Sequence, residues 1–247
     1  MRTCACVVLL ALLAGTVQAD DPVTVAVASN FSRAALELAA RFSGETGMAT
    51  RLSKGSTGLL YAQILNGAPF DVFLAADVER PALLEHSGHA VTGSRFTYAR
   101  GGLALWSRDA TDCLATLKDA SAGRVALANP ATAPYGRAAV EFLTNEGHWE
   151  VVSGRAVYGE NAMQALQFAA TGNAVVGVIA SAQLVDPHLP ESACVWNVPT
   201  ESHGSIEQQA VLLKNAADND AAQRFIEFMQ SDVALEIIER HGYGVSP

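Results

Sequence analysis

Four short stretches carry residue types that could grip a small anion. They are Ser29-Asn30, Lys54-Gly55-Ser56-Thr57-Gly58, Asn129-Pro130 with Pro134-Tyr135-Gly136, and Gly159-Glu160-Asn161 followed by Ala162. Each combines hydroxyl or amide side chains with glycine or proline, and each lies where an apolar run gives way to a helical pattern. At such a junction the first N–H groups of the helix have no internal partner, and the helix dipole places partial positive charge there. Glycine lets backbone approach a ligand closely. Several helix starts aimed at one point would hold an anion without any formal charge. Taken singly, each stretch has an ordinary explanation, because Ser, Thr and Asn cap helices and glycine turns chains. Only the four together point to binding.

Other chemistries find little support. The six histidines, His86, His89, His148, His188, His203 and His241, show no metal-ligand spacing on one helix face. No Gly-x-Ser-x-Gly elbow presents a nucleophile. Gly55-Ser-Thr-Gly58 lacks the order of a phosphate loop, since Lys54 precedes the glycine instead of following the second one. Lys54 itself reads as a solvated surface lysine, and Asp77 as a helix cap.

The elements that must position the four stretches alternate along the chain. Strand-like runs span 23–28, 70–74, 124–128, 156–158, 174–179 and 209–213. Helical patterns span 32–42, 59–65, 136–145, 162–170, 220–229 and 233–240. Continuous apolar strands alternating with amphipathic helices predict an α/β fold with mostly parallel sheets flanked by helices. In such sheets ligands bind beyond the carboxyl ends of the strands, where the four stretches fall. A strand-turn-strand pattern over 94–106 is broken by Gly101-Gly102, and a second break lies at 201–205. These two places could be paired crossings between a discontinuous first lobe (20–100 plus 205–247) and a second lobe (101–204). Composition alone allows a single α/β domain as well.

The chain has 247 residues, 25 acidic against 16 basic, for a net charge of −9. Half its residues are hydrophobic, enough for sizeable cores and too many for a disordered chain. An acidic chain without a basic run is a poor partner for nucleic acid or an anionic membrane surface. Residues 1–19 open on Met1-Arg2, continue with an apolar core and end Val17-Gln18-Ala19. That is the pattern of a cleaved secretory signal, so a soluble periplasmic protein is expected. Cleavage would remove Cys4 and Cys6 and leave Cys113 and Cys194. In an oxidising compartment these two could form a disulfide or remain separate thiols.

The order and spacing of several motifs resemble the periplasmic molybdate-binding proteins of ATP-driven import systems. The matching stretches are Val25-Ala-Val-Ala-Ser-Asn-Phe31, Gly55-Ser-Thr-Gly58 with Tyr61-Ala-Gln-Ile64, and Asn66-Gly-Ala-Pro-Phe-Asp-Val-Phe-Leu-Ala-Ala-Asp77. They continue through Ser94-Arg-Phe-Thr-Tyr98, Asn129-Pro130 with Ala133-Pro-Tyr-Gly136, and Gly159-Glu-Asn161 with Gln164, so the likeness covers about Val23 to Tyr243. The resemblance implies a type II periplasmic binding protein: two α/β lobes, joined by crossing segments, that close over a ligand. It implies an oxyanion held by Ser29, Asn30, Ser56 and Thr57 from the first lobe. From the second it implies the Tyr135 hydroxyl and a backbone N–H near Ala162, where some relatives carry a bulkier valine. A monomer that delivers its ligand to a membrane permease is expected, with no catalytic residue and no cofactor.

Molybdate and tungstate are fully deprotonated at neutral pH and need only donors, whereas phosphate retains a proton and wants an acceptor as well. A shell without a carboxylate therefore favours the former, or sulfate. Two alternatives stand beside this reading: a binding protein for another ligand, such as sulfate or an iron complex, and an enzyme on the same fold.

Overall fold

The computed structural model describes residues 21–245. The expected signal segment, residues 1–19, lies outside the described residues.

The chain begins with β1 (Val23–Ala28), α1 (Ser32–Thr46), β2 (Thr50–Gly55), α2 (Thr57–Leu65), β3 (Val72–Leu74), α3 (Glu79–His86) and β4 (Phe96–Gly101). It continues with β5 (Leu103–Ser107), α4 (Cys113–Lys118), β6 (Val125–Ala128), α5 (Pro134–Asn145), α6 (Trp149–Ser153), β7 (Ala156–Gly159), α7 (Ala162–Ala170), β8 (Val176–Ala180) and β9 (Cys194–Asn197). It ends with β10 (Ile206–Leu212), α8 (Asp220–Phe228) and α9 (Asp232–Arg240). Helix α1 is preceded by a 3-10 turn over Ser29–Phe31.

The strands form two five-stranded sheets, ordered β2-β1-β3-β10-β4 and β7-β6-β8-β5-β9. In the first, β1 pairs parallel with β2 and β3, while β10 runs antiparallel to β3 and β4. The second repeats this plan, with β6 parallel to β7 and β8, and β5 antiparallel to β8 and β9. Each sheet therefore has one reversed strand, and that strand is the first one laid down after the chain passes from one sheet to the other. The chain leaves the first sheet at Gly101-Gly102 and returns between Asn197 and Ile206. Because β4 pairs with β10 and β5 with β9, the two passages run side by side.

Burial explains why these segments become strands. Residues of β3, β5, β6 and β8 are buried on both faces, which their continuous apolar runs require. β2 and β9 lie at sheet edges and alternate between partial burial and exposure. The first core gathers Phe31, Phe42, Phe225 and Tyr98 under α1, α8 and α9. The second gathers Leu105, Leu127, Phe142 and Val178 against α4 and α5. A disulfide joins Cys113 at the start of α4 to Cys194 at the start of β9, with Cα atoms 5.7 Å apart.

Candidate ligand-binding site

Strand register decides where the polar junctions meet. Ala28 lies opposite Gly55 in the β1–β2 ladder, so Ser29 and Ser56 emerge level from the carboxyl end of the first sheet. Ala128 lies opposite Gly159 in the β6–β7 ladder, which sets the starts of α5 and α7 level on the second sheet. The two ends face one another across a small cavity of about 10 Å³. Ser29, Asn30, Ser56, Thr57, Tyr135 and Ala162 all line it, together with Ala28, Gly55, Ala76, Ala133, Pro134 and Asn161. None of these side chains is charged. Lys54 is exposed and is not among the lining residues.

Side chains close three helix starts away from the cavity: Asp112 on α4, Asn219 on α8 and Ser231 on α9 accept from backbone N–H groups, whereas α3 and α6 start without a side-chain cap. At the cavity, no side chain caps the 3-10 turn after β1, α2 or α5. Ser56 occupies the N-cap position of α2, yet its hydroxyl is buried without a partner. A buried hydroxyl without a partner carries a desolvation penalty of about 1–3 kcal/mol, which a bound acceptor would relieve. On α7 the Asn161 side chain accepts from Met163 and Gln164 N–H, one and two residues beyond Ala162.

The remaining lining groups present donors. Thr57 Oγ1 accepts from Ala76 N–H at 3.1 Å, which leaves its own proton for another acceptor. Tyr135, in the first turn of α5, is 3% exposed. Burial above all pushes its phenol well above the ordinary tyrosine range; Tyr243 and Tyr98 nearby add to the rise, and the neighbouring Gln208 and Asn30 amides oppose it. The hydroxyl therefore stays protonated through the physiological range and can donate.

Asn30 has a more structural part than its sequence suggests. Its Nδ2 donates to Gln208 Oε1 at 2.8 Å and to the Tyr243 hydroxyl at 3.2 Å. Both amide protons thus have partners inside the protein, so Asn30 faces the cavity with its position in the helix start.

Contacts between the two sheets' elements surround the cavity. Gly58 N–H, in the first turn of α2, donates to Thr132 O at 2.8 Å. A Cβ at Gly58 would lie 2.9 Å from that same carbonyl, so glycine is what permits the approach. Arg137 on α5 reaches Asp77 at 2.9 Å and Glu79 at 2.7 Å, and Asp77 also pairs with Arg80. On the opposite side Arg33 of α1 pairs with Asp186. Gly101, in the first passage between sheets, sits against Tyr135: a Cβ there would lie 1.9 Å from the phenol oxygen. Among the described residues no group of His, Cys, Asp and Glu could hold a metal ion, and no helix is long and apolar enough to cross a membrane.

The profile of the bacterial extracellular solute-binding proteins matches residues 23–244. The chain belongs to that family. It is 44% identical over 237 residues to the molybdate-binding protein ModA of Azotobacter vinelandii, covering 95% of this chain and 94% of the relative. It is 43% identical over 228 residues to the molybdate-binding protein ModA of Rhodobacter capsulatus, covering 91% and 89%. The solved structure of the A. vinelandii periplasmic molybdate-binding protein superposes with a TM-score of 0.85 at 35% identity, over 91% of this chain and 100% of that one. The fold of the family is the two-sheet arrangement described above.

Several residues around the site gave no signal in the sequence. Gln208 falls just outside the strand read from 209, Tyr98 and Tyr243 are given no part in the site, and Gly101 is read only as a break in a strand pattern. Their partners are distant in sequence, up to 213 positions for Tyr243 with Asn30, which no local pattern records.

Proposed function

We infer that this chain captures molybdate or tungstate from the periplasm and hands it to the membrane permease of an ATP-driven importer. The observation that carries this reading is the convergence of uncapped helix starts and buried hydroxyls on one uncharged cavity, with Ser56 Oγ buried and unpartnered within it. The ModA relatives and their structure support the same reading. In this reading the two sheets are the cores of two lobes, 20–100 with 205–247 and 101–204. The lobes close on the anion and open to release it.

Binding is by donation. Helix starts contribute roughly half a positive charge each, and the Ser56, Thr57 and Tyr135 hydroxyls add directed protons. Ser29 and the backbone at Asn30 and Ala162 complete the shell. Closure excludes water, so each bond to the anion contributes about 1.5–3 kcal/mol. The protein acts as a monomeric carrier exported by a cleaved signal, with no catalytic group, no resident cofactor and no nucleic-acid partner.

Thermal-shift and calorimetric titration against molybdate, tungstate, sulfate and phosphate test this. Molybdate and tungstate are expected to raise the melting temperature and saturate one site per chain. Saturation by sulfate at lower concentration than molybdate, or by none of the four, would overturn it.

A further inference from the structure

Gln208 is fully buried on β10, at the point where the ladder to β4 shifts register between Gln208 and Gln209. Its amide touches groups from both sides of the cavity. Oε1 accepts from Asn30 Nδ2 at 2.8 Å, and the Tyr98 hydroxyl shares its single proton between Ala75 O at 3.2 Å and Gln208 Oε1 at 3.3 Å. Nε2 donates to the Tyr135 hydroxyl oxygen at 3.3 Å.

The direction of these bonds follows from one fixed end. The backbone carbonyl of Asn30 can only accept, so the Tyr243 hydroxyl, 2.7 Å away, must donate to it. With that proton committed, the Tyr243 oxygen can only accept from the Asn30 side chain, 3.2 Å away. The Asn30 atom facing Tyr243 is therefore its NH2. The second proton of that NH2 goes to Gln208, so the facing Gln208 atom is its oxygen. The other end of the Gln208 amide is then its NH2, and it faces Tyr135. A phenol oxygen that accepts from an NH2 cannot return its own proton along the same line.

We propose that Gln208 is a positioning residue for ligand binding: through a relay from Tyr243 and Asn30 it obliges the Tyr135 hydroxyl to point its proton into the cavity. This rests on the reading that the cavity holds a deprotonated oxyanion. The relay begins at Tyr243, after α9, and at Asn30 in the 3-10 turn before α1, and ends on α5 beyond the cavity. Tyr135 thus gains its Gln208 partner only when the two sheets' elements come together. Closure and donor orientation become one event, and the closed pocket favours an anion that brings no proton of its own.

A double-mutant cycle read by calorimetry with molybdate and tungstate tests the relay. Gln208→Met keeps the length of the side chain and removes the donor. It is expected to weaken binding about tenfold. In a Tyr135→Phe background the same substitution is expected to change affinity less than twofold, because the group it orients is gone. A merely structural role would give the same loss in both backgrounds, and that result overturns the proposal, as does an unchanged affinity for Gln208→Met alone. If Gln208→Met melts before the titration temperature, Tyr243→Phe cuts the relay at its origin and is held to the same two criteria. A wild-type chain that binds neither anion refutes the oxyanion reading itself and this proposal with it. That outcome is distinct from a wild type that binds and a cycle that is additive.

Discussion

Replacing Gly101 with alanine isolates the geometry of the closed site. The added Cβ would lie 1.9 Å from the Tyr135 phenol oxygen and 2.9 Å from its Cζ. Ordinary contact begins near 3.4 Å, so the phenol must retreat by about 1.5 Å. A hydrogen bond of about 2.8 Å stretched by that distance is no longer one. Loss of one charge-assisted bond removes about 1.5–3 kcal/mol, which weakens molybdate binding roughly 10- to 150-fold. The backbone tolerates the change, because Gly101 is not among the glycines with positive φ. In the proposed function the lobes open without ligand, which would relieve the clash, so the unliganded melting temperature is expected to stay near that of wild type. Calorimetry gives the affinity, and small-angle scattering with saturating ligand should show a larger radius of gyration than wild type. Wild-type affinity in Gly101→Ala would refute the reasoning, and so would a variant whose fold collapses without ligand.

Four further outcomes are expected. Ser56→Ala removes a buried hydroxyl that has no protein partner; it should weaken the anion at least fivefold by calorimetry while leaving the unliganded melting temperature unchanged or slightly raised. Burial holds the Tyr135 phenol well above its ordinary value, so the donating form persists as pH rises through 10, and affinity measured from pH 7 to 9 should be flat. Arg137→Ala removes the pairs to Asp77 and Glu79; because Arg137 is about 42% exposed the loss is under about 1 kcal/mol, read in stopped-flow as ligand release up to about fivefold faster, with the difference shrinking at high salt. Replacing Cys113 and Cys194 by serine opens a loop of 81 residues, expected to lower stability by about 2–5 kcal/mol in chemical denaturation with molybdate affinity preserved.

Much of the fold was legible because burial writes itself into composition. β6 and β8 are apolar throughout, β1 is apolar but for Thr24, and all three sit in the interior of their sheets, while the helices between them carry one apolar face. β2 was not legible: Thr50-Arg-Leu-Ser-Lys-Gly55 is an edge strand, half exposed, with no apolar run to mark it. Its register with β1 nonetheless places Ser56. β9 escaped for the same reason. The strand pattern read as starting at Gln209 begins at Ile206, and the difference hid Gln208. Of the site, the four polar junctions could be read because helix starts after strands are a local feature, and the family resemblance singled out the six expected lining residues among them. Whether a serine caps its helix or faces a ligand depends on the direction of one torsion. Ser231 and Ser56 look alike in sequence and differ in that respect.

The place of β10 in the first sheet has a consequence for how the protein is made. β10 is the last strand in the sequence, yet it sits between β3 and β4 and pairs with both. Until residues 206–212 exist, β3 and β4 have no common neighbour and the first core lacks α8 and α9. The second sheet, built from an unbroken 103–197, has no such delay, so chain-release experiments should find it protected from proteolysis before the first.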